Sequence, residues 1–233
     1  MPELAKTYRE SDPRPELSES QEDYLKQIFL LGGDSKKVST QALARRLQVK
    51  PASVTEMIGR LSQLDLVEHA PYHGVQLTDA GRRVALEMLR HHRLLETFLV
   101  EALGYNWDQV HEEAERLEHV ISERFEERIA EAMGHPTHDP HGDPIPTPDL
   151  DLPSGESLVP LRDLPVGTRG KLVRVGAQDS DNLSLLRRLG LEPGSTVEVV
   201  ADDTRGIRVR VGTDRFLLPA YLAETLWMER LEQ

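Results

Sequence analysis

The side chains best suited to chemistry lie on two consecutive predicted helices. From Trp107 to Met133 the helical arc beside the apolar face, at about 100° per residue, collects two imidazoles and two carboxylates: His111, Glu115, Glu118 and His119. On the helix before it, His92 and Glu96 are four residues apart and project from one side. Oxygen and imidazole donors without sulfur suit Mn2+, Fe2+, Co2+ or Zn2+, and the share of carboxylates favours the harder ions. The alternative is a solvated acidic surface, since the later helix holds nine acidic residues against three arginines.

The composition limits what else the chain can do. None of its 233 residues is cysteine, which excludes disulfides, thiolate metal sites and cysteine nucleophiles and fits a reducing compartment. The net charge of -12 repels nucleic acids and anionic membranes unless basic residues are gathered locally. No apolar run approaches the roughly 18 residues that span a bilayer, and the N-terminus has no signal-peptide pattern. We expect a cytoplasmic protein with no membrane partner and a disordered segment at residues 1–19.

Basic residues are gathered in one region, which has the pattern of a helix-turn-helix. Between Ser39 and Leu64 two helices are predicted, with a break at residues 48–50 and Pro51 in the first turn of the second helix. Two short strands around a turn follow, as in the wing of a winged helix. Residues 36–60 carry a local net charge of +5. This region therefore predicts DNA binding, and the alternative is a small three-helix subdomain with a solvated basic face.

The candidate DNA contacts lie on the second helix and the wing. Short polar side chains near the start of a recognition helix lie where base edges are read. Four residues occupy such positions: Ala52, Ser53, Thr55 and Glu56. The candidate phosphate contacts are Lys50, Arg60 and, in the wing, His73.

A proline-rich segment at residues 135–156 separates the helical part from a β-rich part. Its prolines exclude a helix or a central strand, so we predict a linker, and we expect its histidines His135, His138 and His141 to be solvated. Beyond it, apolar residues alternate with a period of two in five short segments, interrupted by a short helix at residues 182–189. This pattern predicts a small SH3-like barrel.

The predicted fold is mainly α with a small amount of β structure. It comprises a winged helix-turn-helix DNA-binding domain at residues 20–78, a helical dimerisation and metal-binding domain at residues 79–134, and a C-terminal SH3-like β-barrel at residues 157–233. The homodimer is predicted because the helix from Ala80 to Leu103 has too much apolar surface for one buried side in a monomer.

Several motifs also recur in the order found in one known family. They are Asp23-Tyr24-Leu25, Gly59-Arg60-Leu61, the block from Leu77 to Arg82, His92-Arg93-Leu94, the block from Val110 to His119, and the block from Gly142 to Pro146. From about Ser20 to Leu231 the chain therefore resembles the diphtheria toxin repressor and manganese transport regulator family. The resemblance implies a homodimeric, metal-activated transcriptional repressor with two metal positions and, in the long form, a C-terminal SH3-like (FeoA-like) domain.

The resemblance further implies which residues hold metal. The primary site would consist of Asp23, Glu115, Glu118 and His119. The second site would consist of His92, Glu96 and His111, completed from the barrel by Gln178 and Asp179. Asp23 and Glu115 stand where the iron-type repressors have methionine and cysteine, which favours Mn2+ over Fe2+. Lys26 stands where the manganese regulators have glutamate, which argues against their bridged two-metal geometry.

Functions of different classes remain to be separated. The favoured one is a Mn2+-dependent, or alternatively Fe2+-dependent, repressor of metal-uptake genes, in which metal orders the winged helices of a homodimer on a palindromic operator. A metallohydrolase would need a substrate cleft and a nearby acid or base, which no sequence feature supplies, and it would leave the helix-turn-helix without a role. A weaker alternative is a regulator that senses a small organic ligand. We expect a protein that is not an enzyme and has no organic substrate.

Overall fold

The computed structural model describes residues 17–70, 73–153, 157–203 and 205–231. These residues fall in two compact units, Met1–Leu89 and Arg90–Gln233. Most of the segment predicted to be disordered, residues 1–16, lies outside the described residues. Within the described part, no helix combines the length and the apolar character needed to cross a membrane.

The first unit is the winged helix-turn-helix that the sequence predicts. Its elements are α1 (Glu19–Leu30), α2 (Thr40–Arg46), α3 (Pro51–Gln63), β1 (Val67–Ala70) and β2 (Gly74–Leu77). The Ser39 side chain accepts a hydrogen bond from the Ala42 N–H and so begins α2. Pro51 occupies the first turn of α3, where its missing N–H leaves no bond unmade. The strands β1 and β2 pair antiparallel as the wing, and apolar residues of the three helices form one core that fixes the position of α3.

The helices that carry the metal-binding candidates differ from the prediction in one respect. Helix α4 (Asp79–Glu101) agrees with it, but the single helix predicted from Trp107 to Met133 is wrong, because two helices replace it, α5 (His111–Leu117) and α6 (Glu123–Ala132). The break comes from Ser122, whose extended backbone and side chain cap α6 by accepting a hydrogen bond from the Phe125 N–H. Glu118 therefore lies just beyond the end of α5.

The predicted linker is packed rather than solvated over much of its length. The side chains of His141 and Ile145 are buried, at 0% and 2% exposure. Gly142 lies so close to the barrel that a Cβ there would be 1.8 Å from the carbonyl oxygen of Val173. The expectation that His141 is a solvated loop residue is therefore wrong, while His135 and His138 are exposed as expected.

The C-terminal part is an antiparallel SH3-like sheet, as predicted, with six strands rather than five. Its elements are β3 (Val159–Pro160), β4 (Arg169–Val175), α7 (Ser180–Arg188), β5 (Thr196–Asp203), β6 (Gly206–Val211), β7 (Asp214–Pro219), α8 (Ala220–Ala223) and β8 (Leu226–Arg230). The strand order is β3-β8-β4-β5-β6-β7. The apolar side chains of the strands fill one core, and the indole of Trp107, which precedes α5, belongs to that core.

Polar contacts hold the barrel against the helical segment of the same unit. The buried carboxylate of Asp108 accepts hydrogen bonds from Ser184, at 3.2 Å, and from Arg187, at 3.1 Å, both on α7. The backbone N–H of Val175 donates to the carbonyl of His141 at 2.8 Å. The linker, the segment before α5 and the barrel are therefore joined by packing and by hydrogen bonds.

Candidate metal centre and DNA-binding surface

The predicted DNA contacts of the first unit form an exposed surface on α3 and the wing. All seven are exposed: Lys50, Ala52, Ser53, Thr55, Glu56, Arg60 and His73. Arg60 donates to the Glu56 carboxylate at 2.6 Å, so one turn of α3 orients the guanidinium. The Thr55 hydroxyl donates to the backbone carbonyl of Pro51 at 3.1 Å, which leaves its oxygen as an acceptor. The surface therefore offers one oriented cation and short polar groups, the combination that phosphate and base contacts need.

In the second unit, three predicted metal ligands meet at one point. The His92 Nε2 lies 3.0 Å from Glu96 Oε1 and 3.0 Å from His111 Nδ1, and the remaining distance, from His111 Nδ1 to Glu96 Oε1, is 3.2 Å. Neighbouring ligands of an octahedral ion at about 2.1 Å are about 3.0 Å apart, so this triangle has the dimensions of one octahedral face. The residues fit a divalent ion.

A hydrogen bond with Glu118 orients His92 for metal binding. The Glu118 carboxylate is fully buried, and its Oε2 accepts a hydrogen bond from His92 Nδ1 at 2.5 Å. A proton on Nδ1 leaves the lone pair of Nε2 free for a metal, the arrangement in which a carboxylate fixes the tautomer of a ligating histidine. The other Glu118 oxygen lies 3.5 Å from His119 Nε2. Glu118 thus touches residues of both predicted sites.

Of the other predicted ligands, Glu115 lies beside the triangle, because one donor atom each from Glu115, His92 and His111 lie within 4.8 Å of one another. Glu115 is half-exposed, with Oε1 3.8 Å from His111 Nε2. Asp23 is half-buried on α1 in the first unit, where Lys26 is fully buried. From the barrel, the Gln178 amide donates to the Asp143 carboxylate at 2.6 Å. Asp179 is exposed and caps α7 by accepting from the Asn182 N–H. The contacts of Gln178 and Asp179 in the structure are thus with Asp143 and Asn182, and their role as metal ligands stays a prediction.

Two residues that sequence reasoning missed approach Glu96 from the linker. The His141 Nδ1 lies 3.3 Å from Glu96 Oε2. Asp139 joins them in a fully buried group in which one donor atom from each residue lies within 4.8 Å of the others. Helical periodicity cannot detect these residues, since they lie outside any helix. The available signal was the family-like block from Gly142 to Pro146, which directly follows His141.

The pKa values of these groups indicate that the site favours positive charge. Burial acts to lower the pKa of His92, but the carboxylates of Glu96 and Glu118 outweigh burial and raise it to about 10. Burial likewise opposes the charged form of His141, and contacts with Glu96 and Asp139 raise its pKa to about 9. Burial, reinforced by the charges of Glu96 and Asp143, raises the pKa of Asp139 to about 7. The pKa of Glu96 is lowered well below its ordinary value because the histidines outweigh its burial.

Three family models match the chain in sequence. The DNA-binding domain of iron-dependent repressors matches residues 16–75, their metal-binding and dimerisation domain residues 78–147, and the FeoA domain residues 159–230. The chain belongs to the iron-dependent repressor family. This repressor is 31% identical over 229 residues to the iron-dependent repressor IdeR of Mycobacterium leprae, with 93% of this chain and 99% of the relative covered. The diphtheria toxin repressor of Corynebacterium diphtheriae is 29% identical over 225 residues, with the same coverage.

Solved structures extend the comparison to the whole fold of this repressor. A manganese-dependent transcriptional repressor in complex with manganese is 40% identical, with a TM-score of 0.82 and coverage of 91% of this chain and 100% of that one. The ScaR protein with bound Zn2+ is 33% identical, with a TM-score of 0.78 and coverage of 91% and 99%. The protein is a metal-dependent, DNA-binding transcriptional repressor of the long form with a FeoA domain.

Proposed function

We propose that the protein is a manganese-responsive repressor in which metal stabilises the DNA-binding arrangement of a homodimer. The observation that carries the proposal is the donor set: apart from the amide of Gln178, every candidate ligand is a carboxylate or an imidazole, and the chain has no cysteine. Such donors suit Mn2+ and Fe2+ better than the softer ions. At a given site, metal affinity rises from Mn2+ to Fe2+ to Co2+, so affinity alone does not select Mn2+. Selectivity must come from the coordination geometry and from the supply of each metal in the cytoplasm, where we place the protein.

The proposed primary site explains how metal would act on DNA binding. Asp23 belongs to α1 of the DNA-binding unit, while Glu115, Glu118 and His119 belong to the other unit. Metal bound to all four would favour one arrangement of the units, and the population would shift by the difference in metal affinity between arrangements. Without metal, the carboxylates repel one another and that arrangement is less favoured. We further propose a palindromic operator in metal-uptake genes, since a two-fold symmetric dimer reads two equivalent half-sites.

A DNA-binding titration tests the proposal. Duplexes selected from a random pool in the presence of Mn2+ supply the operator, and fluorescence anisotropy measures the dissociation constant with Mn2+, with Fe2+ and with chelator. We expect Mn2+ to tighten binding by at least 10-fold over chelator, about 1.4 kcal/mol. Asp23→Ala should remove this response, whereas Asp34→Ala, at an exposed acidic residue of the same unit, should retain it. Equal affinity with metal and with chelator would refute the mechanism, and selected duplexes without an inverted repeat would refute the palindromic operator.

A further inference from the structure

His91 is a buried histidine of α4 that the function proposed above does not use. Its side chain is 1% exposed, and its Nδ1 lies 3.1 Å from the backbone carbonyl oxygen of Glu118. A carbonyl oxygen only accepts, so Nδ1 carries a proton and donates it to this hydrogen bond. The Nε2 atom is buried and has no hydrogen-bond partner among the residues that the structure describes. Metal-ligating histidines are oriented in this way, with the other ring nitrogen donating to a carbonyl or a carboxylate.

The buried carboxylate of Glu126, on α6, lies beside the Nε2 atom of His91. Its Oε2 is 3.1 Å from Nε2, although the two atoms do not have the geometry of a hydrogen bond. Its other oxygen accepts a hydrogen bond from the Arg90 guanidinium, which holds the carboxylate in place. Neighbouring ligands of an octahedral ion at about 2.1 Å are about 3.0 Å apart. The spacing of Nε2 and Oε2 therefore fits two ligands of one ion.

Two further carboxylates lie close to His91. Glu123 is the first residue of α6, and one of its oxygens lies within 4.8 Å of a ring nitrogen of His91. Glu87 lies one turn before His91 on α4, with an oxygen within the same distance of the ring. With Glu126, the carboxylates of this group outnumber the guanidinium of Arg90 by three to one, so the group attracts cations. Glu123 is exposed, which gives an ion a path of entry from solvent.

We propose that His91, Glu123 and Glu126 hold a further divalent cation between α4 and α6. The ion takes the place of the proton that otherwise lies between His91 Nε2 and Glu126. One imidazole and two carboxylates are donors that suit Mn2+ and Fe2+. The position shares no ligand with the primary or the second site of the function proposed above, and it does not depend on that function.

The position is connected to Glu118 through the backbone. Glu118 and His119 lie between the end of α5 and the start of α6. The hydrogen bond from His91 to the Glu118 carbonyl holds one end of this turn, and an ion bound by Glu123 holds the other end. The ion therefore supports the segment that carries two ligands of the proposed primary site, a consequence that rests on the proposed function.

The experiment counts the Mn2+ ions bound by full-length protein that has been stripped with chelator. Mn2+ alone is added, and the electron paramagnetic resonance signal of the free ion gives the number bound per chain. Under conditions that saturate the wild-type protein, we expect Glu123→Gln and His91→Gln each to bind one Mn2+ fewer per chain. The matched control is Glu127→Gln, at an exposed glutamate one turn later on α6, which should bind as many ions as the wild type. Glu123→Gln should also shift the midpoint of Mn2+-dependent DNA binding to a higher Mn2+ concentration.

An equal count of Mn2+ in Glu123→Gln and in the wild type would overturn the proposal and leave His91 as an imidazolium paired with Glu126. Glu123 is exposed, so this variant tests the position without a change in the buried core. Loss of one ion with an unchanged midpoint would refute the effect on Glu118 while supporting the ion itself. The proposed function is judged separately: DNA binding that ignores metal refutes that function, whereas the count of ions in Glu123→Gln decides the further position in either case.

Discussion

Gly142 provides a sharp test of how closely the linker packs against the barrel. Its φ of +83° is in the left-handed region, and a Cβ would be 1.8 Å from the Val173 carbonyl oxygen. Gly134 is the matched control, because its φ is +70° and an added Cβ would meet nothing within 4 Å. Gly134→Ala should cost about 1 kcal/mol from left-handed strain alone. Gly142→Ala bears the same strain and also forces the turn to withdraw from β4.

The movement of the turn away from β4 determines how much more Gly142→Ala destabilises the protein than Gly134→Ala does. A normal carbon to oxygen contact is about 3.3 Å, so the turn must move by more than 1 Å, and the 2.8 Å hydrogen bond from the Val175 N–H to the His141 carbonyl is lost. An unsatisfied buried N–H costs about 1 to 3 kcal/mol. Gly142→Ala should therefore unfold with about 2 kcal/mol less stability than Gly134→Ala, or about 6 °C lower in Tm at roughly 3 °C per kcal/mol. Calorimetry of metal-free proteins measures this, and equal Tm values would refute the inferred close packing of linker and barrel.

Three further predictions concern metal selectivity, DNA recognition and pH. Glu115→Cys should raise the DNA-binding response to Zn2+ and Fe2+ relative to Mn2+, since a thiolate is a softer donor, and an unchanged metal ranking in anisotropy titrations would exclude Glu115 as a ligand. Arg60→Ala should weaken binding to any duplex and lower the salt slope by about one, whereas Ser53→Ala should chiefly relax sequence preference; equal losses on selected and random duplexes would remove Ser53 from base reading. In the folded protein the pKa of His92 is raised to about 10 and that of His141 to about 9, from an ordinary 6.5. Protonation of these histidines therefore stabilises the metal-free folded state, and the whole of this stabilisation is present below pH 6.5. This stabilisation should be lost as pH rises through 9 to 10 and restored by Mn2+, and chemical denaturation showing no loss would contradict the buried contacts.

The elements with strong periodicity could be predicted from the sequence, and so could the sites that lie on them. Helical spacing placed His92 and Glu96 on one side of α4 and His111 on the polar arc of α5, and the family resemblance then grouped the three residues in one site. The wing and the alternating strands of the barrel followed from turn residues and a period of two. The break before α6 was missed although Ser122 is a good N-cap, because apolar spacing continues across it.

The buried linker residues beside Glu96 could not be derived in this way. A proline-rich sequence excludes helices and central strands, but it does not exclude burial, and His141 is buried by contacts with residues that are distant in sequence. The assignment of Asp179 as a barrel ligand stays a prediction, and the sequence offers another explanation for this residue. An acidic residue before a short helix is as well explained by capping, which is the role the structure gives it.

The place of Trp107 in the barrel core has a consequence for modularity. The indole comes from the chain before α5, yet it belongs to the same apolar cluster as the strands after residue 157. A barrel excised at the linker would lack one of its own core side chains, and a helical domain cut at the same point would expose that indole to water. The FeoA domain and the helices before it should therefore unfold in a single transition. An exchange of barrels between relatives would have to carry along the residue that stands at position 107.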